Sequence, residues 1–291
     1  MWCPEELGDY ELLDVSDGER LERWGPYVLI RPDPQVIWKG IRRHPAWKKA
    51  DASYRRSREG GGAWEENKLP ERWICRVGGH AYQIRPMGFK HTGLFPEQAV
   101  NWAWIEKLVK ERIAEKGRAS VLNLFAYTGG ATVAAASAGA SVVHVDAAKN
   151  MVQTAKENMA LNGLENAPCR YLVDDCMKFV LREQRRGSHY DAILMDPPSY
   201  GRGPKGETWH LEDSIHALLH ETASLLSGDP LFFLVNSYTT GLSGGAVKYL
   251  VEEEIVSRFG GRVLSDEIGL PVRQTGRALP CGFSTRWQKN D

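Results

Sequence analysis

A buried-strand pattern over residues 192–195 runs straight into Asp196-Pro197-Pro198-Ser199-Tyr200. The Asp196 carboxylate therefore falls at the carboxyl end of a strand, where open α/β sheets place their ligands. Two prolines, with fixed φ and no N–H, hold a stiff turn that cannot join a ladder. Pro197 also keeps Asp196 extended. A rigid loop that presents a carboxylate, backbone carbonyls and an aromatic ring suits gripping a flat base and its amine. Taken alone, the segment also fits a plain strand-ending turn, and residues upstream separate the two readings.

Val121-Leu122-Asn123-Leu124-Phe125-Ala126-Tyr127-Thr128-Gly129-Gly130 reads as strand, tight loop and helix start. Glycine lets backbone approach a ligand closely, and a helix amino end offers free N–H groups. The spacing is not G-x-G-x-x-G, so no pyrophosphate is implied. Val142-Val143-His144-Val145-Asp146 sets a second acid at a strand end. A carboxylate there can accept both hydroxyls of a ribose. Asp174-Asp175 follows the next strand, where an acceptor can take an adenine amine. Loop, ribose acid and adenine acid, in that order, describe a nucleoside site without a diphosphate. S-adenosylmethionine fits that description better than NAD does. The candidate cofactor residues here are Asn123, Phe125, Tyr127, Thr128, Gly129, Asp146, Asp175 and Asp196. The catalytic candidates are Asp196, Pro197, Pro198 and Tyr200. Five scattered cysteines form no C-x-x-C pair, so no metal is expected and reduced thiols in a cytoplasm are.

The elements that must position these acids alternate. Strands are expected over 120–125, 141–145, 170–173, 192–195 and 231–235. Helices are expected over 131–138, 149–161, 176–186, 211–226 and 245–259. That order predicts a Rossmann-like, doubly wound, mostly parallel sheet. Two strands without a helix between them, 262–269 and 282–288, predict an antiparallel closing hairpin at the sheet edge. Pro96 opens a long helix through about Lys116, ended by Gly117. Upstream, short strands over 27–30, 36–38, 73–77 and 81–84 suggest a small β-rich appendage. Gly60-Gly61-Gly62 reads as a joint within it. The expected division is a β-rich N-terminal domain over 1–85 and a cofactor-binding domain over 86–291.

At 291 residues, 25% charged and 42% hydrophobic, the composition is that of an ordinary globular protein. No apolar run approaches the roughly 18 residues of a membrane span, and the acidic start lacks a signal-peptide pattern. The formal net charge is zero, which excludes a uniformly basic coat but not a local patch. Residues 1–24 are mostly acidic. Trp38-Lys39, Arg42-Arg43-His44, Trp47-Lys48-Lys49 and Tyr54-Arg55-Arg56-Ser57-Arg58 then interleave cations with aromatics. This pattern fits phosphate contact with base stacking, and equally a solvated face whose tryptophans pack inward. Gly201-Arg202-Gly203-Pro204-Lys205-Gly206 fails P-loop spacing and reads as a mobile basic loop over a substrate mouth.

Taken together, 123–130, Asp146, Asp175 and 196–200 resemble motifs of class I S-adenosylmethionine-dependent methyltransferases. More narrowly, Lys90-His91-Thr92-Gly93-Leu94-Phe95 followed by Glu97-Gln98 resembles the cofactor-covering segment of bacterial large-subunit ribosomal RNA methyltransferases, the cytosine-5 and guanine-N7 enzymes. The resemblance spans roughly 86–287. It implies that Thr92 and Phe95 lie near the cofactor, that Asp146 holds the ribose and Asp175 meets the adenine, and that Asp196 borders the methionine and the target base. It implies S-adenosylmethionine-dependent methyl transfer to RNA in the cytoplasm, with ribosomal RNA the expected substrate. The alternative is a small-molecule methyltransferase with the same cofactor domain. One departure matters. In the related cytosine-5 enzymes a nucleophilic cysteine follows the fifth strand, but here the segment is Val235-Asn236-Ser237-Tyr238-Thr239-Thr240. A cytosine-5 route would need Cys281 or Cys176 instead. Without one, the expected target is a nitrogen, and no membrane partner is expected.

Overall fold

The computed structural model describes residues 1–57, 61–65, 67–88, 90–202, 208–238 and 241–289. Arg58 and Gly60, residues 203–206 of the basic loop, and Thr239-Thr240 lie outside the described residues. The chain forms two compact units, one of Met1–Asn101 with Ile268–Cys281, the other of Trp102–Glu267 with Gly282–Asp291.

The first unit carries a five-stranded sheet of β1 (Tyr10–Ser16), β2 (Glu19–Trp24), β3 (Tyr27–Pro32), β4 (Ala52–Arg56) and β5 (Gly62–Glu65), in that order. The β3–β4 pair is parallel and the other pairs are antiparallel. A separate hairpin joins β6 (Trp73–Val77) and β7 (His80–Ile84) through Gly78 and Gly79. Both glycines have positive φ, as the favoured two-residue hairpin turns require. Leu13, Leu21, Val28, Ile30 and Trp47 form an apolar cluster in this unit.

The structure departs from the expected strands twice here. The acidic stretch 1–24, where no strand was expected, supplies β1 and β2. Glu22 is fully buried yet takes both Nε and Nη2 of Arg31, at 2.5 and 2.8 Å, and the Tyr10 hydroxyl at 2.7 Å. Burial alone would raise its pKa, but the Arg20 and Arg31 guanidiniums push it down to about 2. Residues 36–38, expected as a strand, are irregular. The turn at Asp33, whose carboxylate accepts from the Gln35 amide, ends β3 and takes the chain off the sheet.

In the second unit, α1 (Ala99–Lys116) follows a 3-10 turn over Pro96–Gln98 and stops at Gly117, whose φ is +73°. Then β8 (Ser120–Leu124), α2 (Gly130–Ser137), β9 (Ser141–Asp146), α3 (Lys149–Leu161), β10 (Cys169–Val173), α4 (Cys176–Arg185) and β11 (Ala192–Met195) alternate. A short hairpin of β12 (Tyr200–Arg202) and β13 (Thr208–His210) leads into α5 (Leu211–Ala223). Next come β14 (Phe232–Ser237), α6 (Gly244–Val251), β15 (Arg262–Pro271) and β16 (Ala278–Gln288). A π-helical stretch, Glu252–Val256, extends α6.

The sheet order is β10-β9-β8-β11-β14-β16-β15. Its first five strands are parallel and β16 runs antiparallel to β14, as the doubly wound sheet with a closing hairpin requires. The hairpin strands reach further than expected and leave only residues 272–277 as their loop. Strand residues Leu122, Leu124, Ile193, Met195 and Phe233 pack with Phe179 of α4 and Leu218 and Leu219 of α5 in one core. Burying each such large side chain contributes about 1.5–3 kcal/mol. No helix among the described residues is long and apolar enough to cross a membrane.

Candidate functional site

Parallel register brings the carboxyl ends of β8, β9, β10 and β11 to one edge of the sheet, because Leu124 pairs with Val145 and Met195, and Val173 with Asp146. The sequence order reverses between β8 and β11, which is where such sheets bind ligands. Asp146, Asp175 and Asp196 therefore share that edge.

The loop after β8 is the most constrained stretch of the unit. Phe125 and Tyr127 have φ of +53° and +48°, a region non-glycine residues seldom occupy, and Gly129 has +84°. Surroundings hold these values. The Phe125 amide donates to Cys176 Sγ at 3.3 Å, and Ala126 N donates to the Val145 carbonyl at 3.0 Å. Asn158 Nδ2 donates to the Thr128 carbonyl at 2.8 Å. A Cβ on Gly129 would meet Ala155 Cβ at 2.9 Å, so the loop sits on α3 with no room for a side chain. Asn123 is buried and donates to Thr132 Oγ1, which lies 2.9 Å from His144 Nδ1. Burial holds the His144 imidazole down to about 4, so it is neutral and serves as a strut. The Asn123 side chain thus belongs to this internal network, and Thr128, itself buried, is tied to α3 through its carbonyl.

The loop's purpose is legible at Asp146. Tyr127 N donates to its Oδ2 and Ala148 N to its Oδ1, each at 2.8 Å. A carboxylate offers about four lone-pair positions, and these bonds use two. Burial raises the Asp146 pKa, and the two backbone donors only partly offset it. A pair of vicinal hydroxyls would supply the donors the ionised form still lacks. This donor set fits a ribose.

Asp175 caps α4, with Oδ1 accepting from Lys178 N at 2.9 Å, and it is exposed. Beside it, Asp174 pairs with Arg182. Asp196 is half-buried, and its amide reaches the Leu124 carbonyl at 3.4 Å. Pro197 is buried while Pro198 is exposed. The Pro198 carbonyl accepts from Trp209 Nε1 at 2.7 Å, and the Trp209 ring lies 5.9 Å from Phe125. Trp209 thus links the 196–200 loop to the 125–129 loop. Sequence reasoning missed it, since a lone tryptophan just past the expected basic loop of 201–206 carries no local signal. Tyr200 is half-exposed, with its ring 5.3 Å edge-on to His210. His216 lies away from the loop, against Glu254.

Near the end of β14, Asn236 is buried and accepts from Ser284 Oγ at 2.6 Å, and Tyr238 follows the strand. Four thiols have raised pKa values, each chiefly by burial: Cys75 to about 12, Cys169 to about 11, and Cys176 and Cys281 further. Cys176 is also tied into the loop network through Phe125.

Thr92 and Phe95 belong to the first unit. Thr92 is fully buried, its Oγ1 without a hydrogen-bond partner among the described residues. Phe95 precedes the Pro96–Gln98 turn, its ring 5.4 Å from His91. The basic aromatic stretch of that unit divides residue by residue. Trp47 and Tyr54 are core residues, and Arg55 pairs with Glu65 at 3.1 Å. Trp38, Lys39, Arg43, Lys48 and Lys49 are exposed.

The family described as S-adenosylmethionine-dependent methyltransferase matches residues 44–252. A solved S-adenosylmethionine-dependent methyltransferase from Agrobacterium tumefaciens is 38% identical, with a TM-score of 0.90 over 97% of this chain and 91% of that one. The ribosomal RNA large subunit methyltransferase K/L of Shewanella frigidimarina is 35% identical over 72% of this chain, and its namesake from Pseudoalteromonas atlantica 33% over 62%. The matched regions span only 28% and 24% of those two relatives.

Proposed function

Since this chain belongs to the S-adenosylmethionine-dependent methyltransferase family, we propose that it methylates RNA, with large-subunit ribosomal RNA as the substrate class. The observation that carries the reading is the carboxylate edge: Asp146 with two acceptor positions open, Asp175 at a helix cap, and Asp196 on a proline-stiffened loop. The relatives' printed names support the choice of RNA.

Asp146 and the backbone of 125–129 would hold the ribose, and Asp175 would accept from the adenine amine. Thr92 and Phe95 are carried over from the resemblance as further cofactor contacts. S-adenosylmethionine supplies, when bound, a methyl group on a sulfonium. The chain's part is then alignment and charge. Asp196 accepts from an amine of the target base, and the backbone carbonyls at Pro197 and Pro198 border it. Tyr200 stacks on the ring. A base within a stem must first be flipped out. Aligning a nitrogen lone pair with the methyl group, next to an acceptor for the departing proton, is sufficient chemistry.

We assign a nitrogen target. By the resemblance, Tyr238 lies about where the cytosine-5 cysteine would sit, and burial disfavours the thiolates of Cys176 and Cys281. With five cysteines and no disulfide among them, the chain suits the cytoplasm in which such RNA is found.

The test is methyl transfer into ribosomal RNA from cells lacking this chain, read by nucleoside mass spectrometry. Asp196→Ala should lower turnover about 100-fold or more while S-adenosylhomocysteine binding persists, because a preorganised polar contact at the reacting group is lost. Near wild-type turnover in Asp196→Ala would overturn its role. RNA carrying 5-fluorocytosine should form no covalent adduct, and a crosslink abolished by Cys281→Ser would overturn the nitrogen assignment.

A further inference from the structure

The first unit holds a feature that methyl transfer alone does not require. Residues 37–49 have no regular structure apart from a 3-10 turn over Pro45–Lys48, yet they are fixed at many points. A bulge between Leu12 and Asp14 in β1 aims the Asp14 side chain. That buried carboxylate accepts from Val15 N at 3.0 Å, Arg43 N at 2.9 Å, His44 N at 3.1 Å and Trp47 Nε1 at 2.8 Å. Trp38 Nε1 donates to the Val15 carbonyl at 3.4 Å, and Ser16 Oγ to the Gly40 carbonyl at 3.2 Å. Arg42 lies 4.3 Å over the Trp47 ring and pairs with Glu19. Trp47, Arg42 and Asp14 therefore serve the anchoring.

What the anchored segment presents outward is unusual. Ile37 and Ile41 are 86% and 79% exposed, and Trp38 is 42% exposed. Between and beside them stand Lys39, Arg43, Lys48 and Lys49, exposed and with no acidic partner among the described residues. Protein–protein interface cores are depleted in lysine, so this mixture does not suit a protein partner. Cations interleaved with an aromatic ring suit single-stranded nucleic acid, where phosphates meet the charges and a base meets the ring.

We propose that residues 37–49 form a prefolded platform for single-stranded RNA, in which Lys39, Arg43, Lys48 and Lys49 contact phosphates and Trp38 carries a stacked base. Ile37 and Ile41 cover the sugar and base edges beside it. Because the segment is fixed before RNA arrives, binding orders the RNA more than the protein. The inference rests on the reading of RNA as substrate and assigns that substrate a docking place separate from the Asp196 loop.

The experiment is fluorescence anisotropy with a labelled single-stranded RNA of about 20 nucleotides, titrated from about 50 to 200 mM salt. The intact chain should show a steep salt dependence. Replacing Lys39, Arg43, Lys48 and Lys49 together by alanine should reduce the log–log slope by about 3, at about 0.7 per phosphate lost. Trp38→Ala should weaken binding roughly 5- to 100-fold with the slope kept, as expected for losing one stacked base. All five positions are exposed, and calorimetric S-adenosylhomocysteine binding checks that the variants fold. No RNA binding by the intact chain, or an unchanged slope with Trp38→Ala within twofold, would overturn the platform. A partner that is an acidic protein would give that second result. Asp196→Ala separates the two claims, since it should keep the full slope. A chain that binds RNA in this way but methylates none keeps the platform and loses the methyl-transfer reading.

Discussion

Asp14 at a bulge in the first unit and Asp146 at a strand end in the second are both carboxylates that fix a loop through backbone amides, yet they are opposites electrically. Asp14 takes four N–H donors, which fills its acceptor positions. Burial would raise its pKa, but the Trp47 indole and the three amides hold it below the usual carboxylate range. Asp146 takes two donors, burial prevails, and its pKa is raised. A saturated carboxylate is a structural staple. An under-donated one, held at the carboxyl edge of the sheet, leaves acceptor positions that hydroxyls would fit. Counting donors thus separates two residues that look alike in the sequence.

The largest effect that could break this contrast is at the staple. Asp14→Ala should cost about 3–5 kcal/mol of stability, since several buried donors lose their acceptor at once. Urea unfolding measures it, and a loss below about 1 kcal/mol would mean that water replaces the carboxylate freely. A smaller effect is expected in the loop that feeds Asp146. Gly129→Ala should cost about 2–3 kcal/mol, combining left-handed backbone strain with the 2.9 Å approach to Ala155. It should also weaken cofactor binding, since Tyr127 N would no longer be held toward Asp146.

The smallest effect is on pH dependence. A lowered pKa means that the Asp14 contribution is complete above the ordinary carboxylate value and is lost as pH falls through its depressed one. The raised Asp146 pKa works the other way on the free protein, whose stability falls slightly as pH rises between the unfolded and folded values. Cofactor hydroxyls need the anion, so cofactor affinity should fall as pH drops through the raised value. Calorimetry over about pH 4 to 7 should show affinity failing before the first unit loses its fold. Failure in the reverse order would erase the distinction.

The contrast also marks what could be read from residues alone. The alternation that gives the parallel sheet is written in apolar runs of strand length and in helices between them, so the sequence alone places Asp146, Asp175 and Asp196 at strand ends. The loop sequence 123–130 predicts a ligand against its backbone. It did not show that Phe125 and Tyr127 take positive φ, because Cys176, Val145 and Asp146 enforce it from distant segments. In the first unit, acidic residues 1–24 concealed two strands. Glu22 is buried only because Arg20 and Arg31 meet it from the same and the neighbouring strand. Nor did the basic stretch reveal which tryptophan is core and which is exposed, since the Asp14 bulge decides it. Local pattern carries the periodic elements, and long-range charge pairing carries the rest.

The most direct measurement of the central claim, that the open acceptor positions of Asp146 anchor the cofactor, is calorimetric titration of S-adenosylhomocysteine into Asp146→Ala beside the Asp14→Ala variant. Asp146→Ala should lose less stability than Asp14→Ala, since it frees two backbone donors rather than four N–H groups, and bind with about 1.5–3 kcal/mol less free energy. Asp14→Ala, at a temperature where it is folded, should bind within about twofold of the intact chain, a difference near 0.4 kcal/mol. Unchanged affinity in Asp146→Ala would contradict the account.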